Sequence, residues 1–249
     1  MSVQKQYKRP PLVEAVLAIQ LNDASVTLSQ VEKCGGRVKL EYPTKKPLHF
    51  QTSQIEWGAR SSASTTSKQV GFSWTSIDEK RIFQAKLDGF TFSQLEPYTT
   101  WQDFNTEAEK LWEVYKKATH SKQKFARVGL RYINKIDIPS DSVDLRKYFN
   151  VYPHIPDLLP QNLNSFFFQT SLVLADASAV VNIVQTHIQS PPATLNTTSI
   201  LLDIDIYRTE SIPYGNDFWG VFEVLAQQKN RVFESCITQS TRDLFGGEV

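Results

Sequence analysis

Apolar and polar residues alternate along residues 13–21. Val13, Ala15, Leu17, Ile19 and Leu21 share one face of an extended chain, and Pro10-Pro11 bars a helix just before them. The weakly patterned stretch 25–37 predicts a short helix with a glycine stop at Gly35-Gly36. Strands are expected over 48–57, 70–76, 80–87 and 90–95, the last two joined at Asp88-Gly89, a hairpin signal. The Ser/Thr tract 61–67 reads as an exposed hairpin loop between the first two. The period then becomes helical. Trp101, Phe104, Ala108, Leu111, Trp112 and Tyr115 form an apolar stripe, and Thr100 with Asp103 approximates a capping box ahead of it.

The same succession begins again at 125–138, the cleanest strand of the chain. Val128, Leu130, Tyr132, Asn134, Ile136 and Ile138 alternate there with Arg127, Gly129, Arg131, Ile133, Lys135 and Asp137. A Pro-punctuated connection with a short helix near 144–149 leads to strands at 166–175, 180–189 and 200–208. A long helix over 217–244 closes the pattern, capped by Asn216 and stopped by Gly246-Gly247. Its stripe is Phe218, Trp219, Phe222, Leu225, Val232, Phe233, Cys236 and Ile237.

The halves 1–122 and 123–249 therefore share an element order, β-α-β-β-β-(β)-α, without residue-level identity. The predicted fold class is α+β. Two pseudo-repeated antiparallel sheets, each covered by a long helix, pack as one unit and remove two exposed strand edges. That order is similar to the TATA-binding-protein-like saddle. A helix-grip fold, in which the sheet wraps one helix around a ligand cavity, is the alternative.

Composition narrows the function classes. The 249 residues allow one large domain or two small, packed ones, at about 150 residues per domain. Apolar residues make up 41%, with 15 Phe, 9 Tyr and 5 Trp, too aromatic for a disordered chain. No run approaches about 18 apolar residues, so no membrane association is expected. Lys+Arg total 27 against 26 for Asp+Glu, a net charge of +1. That balance disfavours a nucleic-acid coat or a polybasic membrane binder. Residues 1–20 lack a secretory h-region, which points to the cytoplasm. Cys34 and Cys236 are far apart and outside any CxxC, as expected of two isolated thiols in a reducing compartment.

The candidate chemistry is concentrated in two strands. Asp203 and Asp205 project from one face of an apolar strand, with Ile200, Leu202, Ile204 and Ile206 on the other. Such a DxD pair can hold Mg²⁺ or Mn²⁺ for phosphoryl transfer, with Asp137 or Glu14 as a third ligand. The polar face of the 125–138 strand offers Arg127, Arg131, Lys135 and Asp137. If the two strands share a concavity, the simpler outcome is a network of ion pairs in which Arg forks hold the carboxylates. His49, His120, His154 and His187 are scattered, and there is no HExxH, GxSxG, P-loop or GxGxxG pattern, so no cofactor is expected. Phe90, Phe92 and Phe166 to Phe168 are not surrounded by cations, which disfavours duplex recognition. Trp219, Phe222, Phe233 and Phe245 exceed what one sheet can cover and point to a partner surface, most simply a homodimer.

Three stretches carry a resemblance: Pro10-Pro11-Leu12-Val13-Glu14, the run Arg127 to Pro139 (RVGLRYINKIDIP), and Leu201-Leu202-Asp203-Ile204-Asp205. With Asn230, Phe233, Ile237-Thr238, Arg242 and Phe245-Gly246, the chain resembles a sporadically distributed family of uncharacterised bacterial proteins of about this length. The resemblance implies one full-length unit in a prokaryotic cytoplasm and an accessory, defence-type role. It implies no activity, substrate or cofactor. Three functional expectations remain. The first is a non-enzymatic module that binds a protein or polar ligand through Arg127, Arg131, Lys135, Asp137, Asp203 and Asp205. The second is a divalent-metal phosphodiester enzyme built on Asp203 and Asp205. The third is a helix-grip carrier with a cavity lined by Phe166, Phe168, Leu172 and Trp219.

Overall fold

Two-residue alternation produces strands wherever one face of the segment meets a helix. The structure, a computed structural model, describes residues 7–22, 25–56, 62–121, 124–140, 143–160, 163–188, 196–213 and 215–247. Its strands are β1 (Leu12–Leu21), β2 (Thr44–Glu56), β3 (Ser62–Thr75), β4 (Arg81–Lys86), β5 (Gly89–Leu95), β6 (Phe125–Ile138), β7 (Phe167–Leu174), β8 (Ala179–Ile188) and β9 (Thr198–Arg208). The helices are α1 (Leu28–Glu32), α2 (Cys34–Val38), α3 (Trp101–Thr119), α4 (Leu145–Tyr148), α5 (Trp219–Cys236) and α6 (Gln239–Leu244). The fold is α+β, with an antiparallel sheet in the hydrogen-bonded order β2-β3-β4-β5-β1-β6-β9-β8-β7. No described helix is long and apolar enough to cross a membrane. The chain divides into a central unit, residues 18–94 and 99–126, and a terminal unit, residues 1–17, 95–98 and 127–249.

In the central unit the helix-facing side of the sheet is aromatic. Trp74 of β3, Phe83 of β4, and Phe90 and Phe92 of β5 are buried. Phe92 stacks on Phe104 of α3 with centroids 5.1 Å apart, and Phe90 meets Trp112 edge-on at 5.9 Å. Thr100 caps α3 as its sequence position predicts, its hydroxyl oxygen accepting from the Asp103 N–H at 3.1 Å. Three expectations need correction here. Gly35-Gly36 does not stop a helix but lies inside α2, because a Cβ at Gly35 would stand 2.5 Å from the Trp74 indole nitrogen. The part of the Ser/Thr tract within β3 is strand rather than loop. Its backbone pairs with β2 from Gln51↔Ser67 to Glu56↔Ser62, since short β-branched and hydroxyl residues follow whatever partner strand is offered. The intervening residues 57–61 lie outside the described ones. The β4–β5 corner is Leu87-Asp88, one residue earlier than expected. Gly89 then opens β5 with φ +148°, and any Cβ there would stand 2.1 Å from the Ile19 carbonyl oxygen.

The terminal unit is aliphatic inside. Val128, Leu130 and Ile136 of β6, Val181 and Ile183 of β8, and Ile200, Leu202, Ile204 and Ile206 of β9 are buried, as are Phe222, Leu225 and Ala226 of α5, which packs on β9. Asp144 caps α4 by accepting from the Arg146 N–H at 3.1 Å. The long terminal helix is not continuous. It is entered through a 3₁₀ turn at Gly215–Phe218, and the side chain of Asn216, expected as its cap, lies outside the described residues. It also breaks at Ile237-Thr238. There Ile237 bridges Phe149, and the Thr238 N–H donates to the Tyr148 carbonyl at 3.0 Å, so α4 takes over bonds that a continuing helix would have made.

Candidate functional site

β6 and β9 pair antiparallel, with Arg131 opposite Asp205 and Ile133 opposite Asp203. This register brings the odd-numbered side chains of both strands onto the face away from α5. Arg131 reaches diagonally to Asp203. Its Nε donates to Oδ1 at 2.9 Å and to Oδ2 at 3.0 Å, and its Nη2 donates to Oδ2 at 2.6 Å. Arg127 Nη2 donates to both oxygens of Asp205, at 2.6 and 2.8 Å, while its guanidinium lies 4.2 Å from the centre of the Tyr207 ring. Lys135 Nζ donates to Asp137 Oδ2 at 2.9 Å, and the Ser199 hydroxyl donates to Asp137 Oδ1.

The pairs are unevenly exposed. The Asp203 side chain is 8% exposed while that of Arg131 is 50% exposed, so a buried carboxylate anchors a guanidinium that still faces solvent. Arg127 and Asp205 sit at 25% and 24%. The Asp203 bonds hold Arg131 protonated more firmly than usual, with the Asp203, Asp205 and Glu14 charges adding to them. For Asp137, burial pushes the carboxyl upward, but bonds from Ser199 and Lys135 outweigh it and hold the group below the ordinary carboxylate range. All six candidate residues thus come together in one unit as an Arg131–Asp203 fork, an Arg127–Asp205 pair held through Nη2, and a Lys–Asp pair. Both oxygens of Asp203 and of Asp205 accept from guanidinium. Among the described residues, no group of three or more His, Cys, Asp or Glu side chains could hold a metal ion.

The other candidates disperse. His49 lies in β2 and His187 in β8, and His120 ends α3 in a left-handed conformation. His154 lines a shallow cavity of about 160 Å³ with Asp144, Arg146, Tyr152 and Asp157. Cys34 and Cys236 are buried free thiols, pushed up by burial to about 12, and so are not nucleophiles at neutral pH. The aromatic surplus of the terminal helix is largely consumed inside its own unit. Phe222 and Phe245 are buried, Trp219 packs on Phe218 at 4.8 Å, and Phe233 stacks on Phe245 at 6.4 Å. Leu172, expected to line a carrier cavity, is instead 46% exposed.

Two features escaped sequence reasoning. Lys229 of α5 places its ammonium 3.9 Å from the centre of the Tyr132 ring, and burial lowers it to about 7. The signal was available, because position 229 continues the apolar stripe between Leu225 and Val232. Gln185 of β8 is fully buried, and neither end of its amide finds a partner among the described residues. No known protein family and no curated protein matches the chain.

Proposed function

We propose that the protein is a non-catalytic binding module that uses the partly exposed sheet face of the terminal unit to hold an anionic group of a protein partner or polar ligand. The carrying observation is the Arg131–Asp203 fork. A carboxylate that is 8% exposed fixes the orientation of a guanidinium that is 50% exposed, so the guanidinium is preorganised rather than freely rotating. Arg127, held by Asp205 and stacked on Tyr207, offers a second oriented cation beside it. Lys135 and Asp137 extend the same face. The strand order supports a duplicated order of elements. β1 stands beside β5 and β6 beside β9, with the remaining strands of each run following in reverse. The resemblance to uncharacterised bacterial proteins adds an accessory setting in the cytoplasm.

The test is capture from native lysate by the wild type and by Arg127→Ala/Arg131→Ala, with thermal unfolding confirming that the variant is folded. A partner retained by the wild type and lost by the folded variant supports the reading; identical capture profiles overturn it. Unfolding with Mg²⁺ or Mn²⁺ tests the metal-enzyme alternative. An upward shift in the wild type that Asp203→Ala/Asp205→Ala abolishes would replace the binding reading with that one.

A further inference from the structure

The strand order ends in β2 on one side and β7 on the other, and the two edges are built differently. β2 carries Lys45, Lys46 and Pro47, which block pairing with another strand. β7, FFQTSLVL, has no charge and no proline, and it exposes Phe167 at 69%, Leu172 at 46% and Val173 at 79%. Among the described residues, no strand pairs with its outer side.

The sequence of β7 is symmetric in polarity about Thr170. Gln169 and Ser171 flank it, then Phe168 and Leu172, then Phe167 and Val173. The backbone agrees with this centre. The Phe166 carbonyl accepts from the His187 N–H at 3.3 Å, so by antiparallel alternation the even-numbered residues of β7 turn their N–H and C=O groups toward β8. Residues 167, 169, 171 and 173 turn theirs outward. We infer that β7 pairs antiparallel with β7 of a second copy of this chain, on a two-fold axis through Thr170.

In that register Gln169 meets Ser171 and Phe167 meets Val173 of the other copy as hydrogen-bonded pairs, using only outward-facing backbone groups. Phe168 meets Leu172, and Thr170 meets its own counterpart, as the closer non-hydrogen-bonded pairs. Each exposed apolar side chain of the strand therefore lands on an apolar one. Shifting the axis to Ser171 would set Thr170 against Leu172 and Gln169 against Val173, which loses this match. The contact is isologous and consumes the edge left unguarded among the described residues, so assembly stops at two copies.

The mass in solution tests this by sedimentation at micromolar concentration. The expected species has twice the 28.4 kDa of the chain. Ser171→Pro removes an outward N–H without touching the β8 ladder, and Val173→Lys places a charge on the contact. Both should sediment as monomers that still unfold in one cooperative transition. Thr170→Cys should give a reducible dimer with oxidised glutathione, because the two Cα atoms on the axis stand about 4.5 Å apart, within disulfide reach. Val173→Cys, far from its own counterpart in this register, should not. The native thiols, both buried, leave this readout clean. A monomeric wild type, a dimer indifferent to Ser171→Pro and Val173→Lys, or equal crosslinking at 170 and 173 would each overturn the inference.

Discussion

The two units use the same layering with opposite materials. The central unit presses an aromatic sheet face onto α3, and its other face carries small hydroxyl side chains, with Ser73, Thr91 and Ser93 all nearly covered. The terminal unit presses an aliphatic sheet face onto α5, tolerates Asn134, Gln185 and Lys229 on that side, and lines the opposite face with ion pairs. The aromatic interior is held by area and ring geometry. The aliphatic one leaves room for polar groups that cost stability, which is where a functional surface can be afforded.

This contrast can be broken most forcefully in the central unit. Trp112 is fully buried between Phe90, Tyr115 and Phe125, so Trp112→Ala should lower stability by about 3–5 kcal/mol in urea unfolding. By comparison, Ile204→Val in the terminal unit should cost about 1 kcal/mol. A similar loss for both would remove the distinction. Next in size, Arg131→Ala leaves the nearly buried Asp203 carboxylate without its fork and should cost about 2 kcal/mol, more than Asp203→Ala, which leaves only an exposed guanidinium behind. Equal costs would mean that burial of the carboxylate is not what matters.

The last expected effect has the opposite sign. Lys229 carries a folded-state value of about 7, below its ordinary 10.5, so the unfolded chain holds this proton more tightly. Stability from this group is therefore lost as pH falls from about 10.5 toward 7 and is fully lost below that. Lys229→Met should stabilise by about 1–2 kcal/mol at pH 7, and by less at pH 9.5. Unfolding curves at the two pH values check this, and a destabilised variant would show that the Tyr132 face holds the ammonium favourably.

Sequence alone was informative where one physical rule acted locally. The bounds of β6 follow from alternation and those of α3 from its stripe and Thr100. The six charged candidates did converge, because same-strand spacing fixes the face and adjacent strands fix the distance. What escaped was decided by partners far along the chain. Gly35 sits mid-helix because of an indole 39 positions later, the helix break at Ile237 depends on α4, and the β3 hydroxyl tract is strand because β2 lies beside it. No local pattern contains those partners.

The division of the chain also bears on how it is made. Residues 18–94 and 99–126 form a nearly continuous block, whereas the other unit needs residues before 18 and beyond 126. Tyr7 donates to Glu234 at 2.6 Å, and the Arg9 N–H to the Phe245 carbonyl at 3.0 Å. On a ribosome, Tyr7 and Arg9 therefore emerge long before Glu234 and Phe245, and the intervening block of 18–126 has its own partners at hand meanwhile.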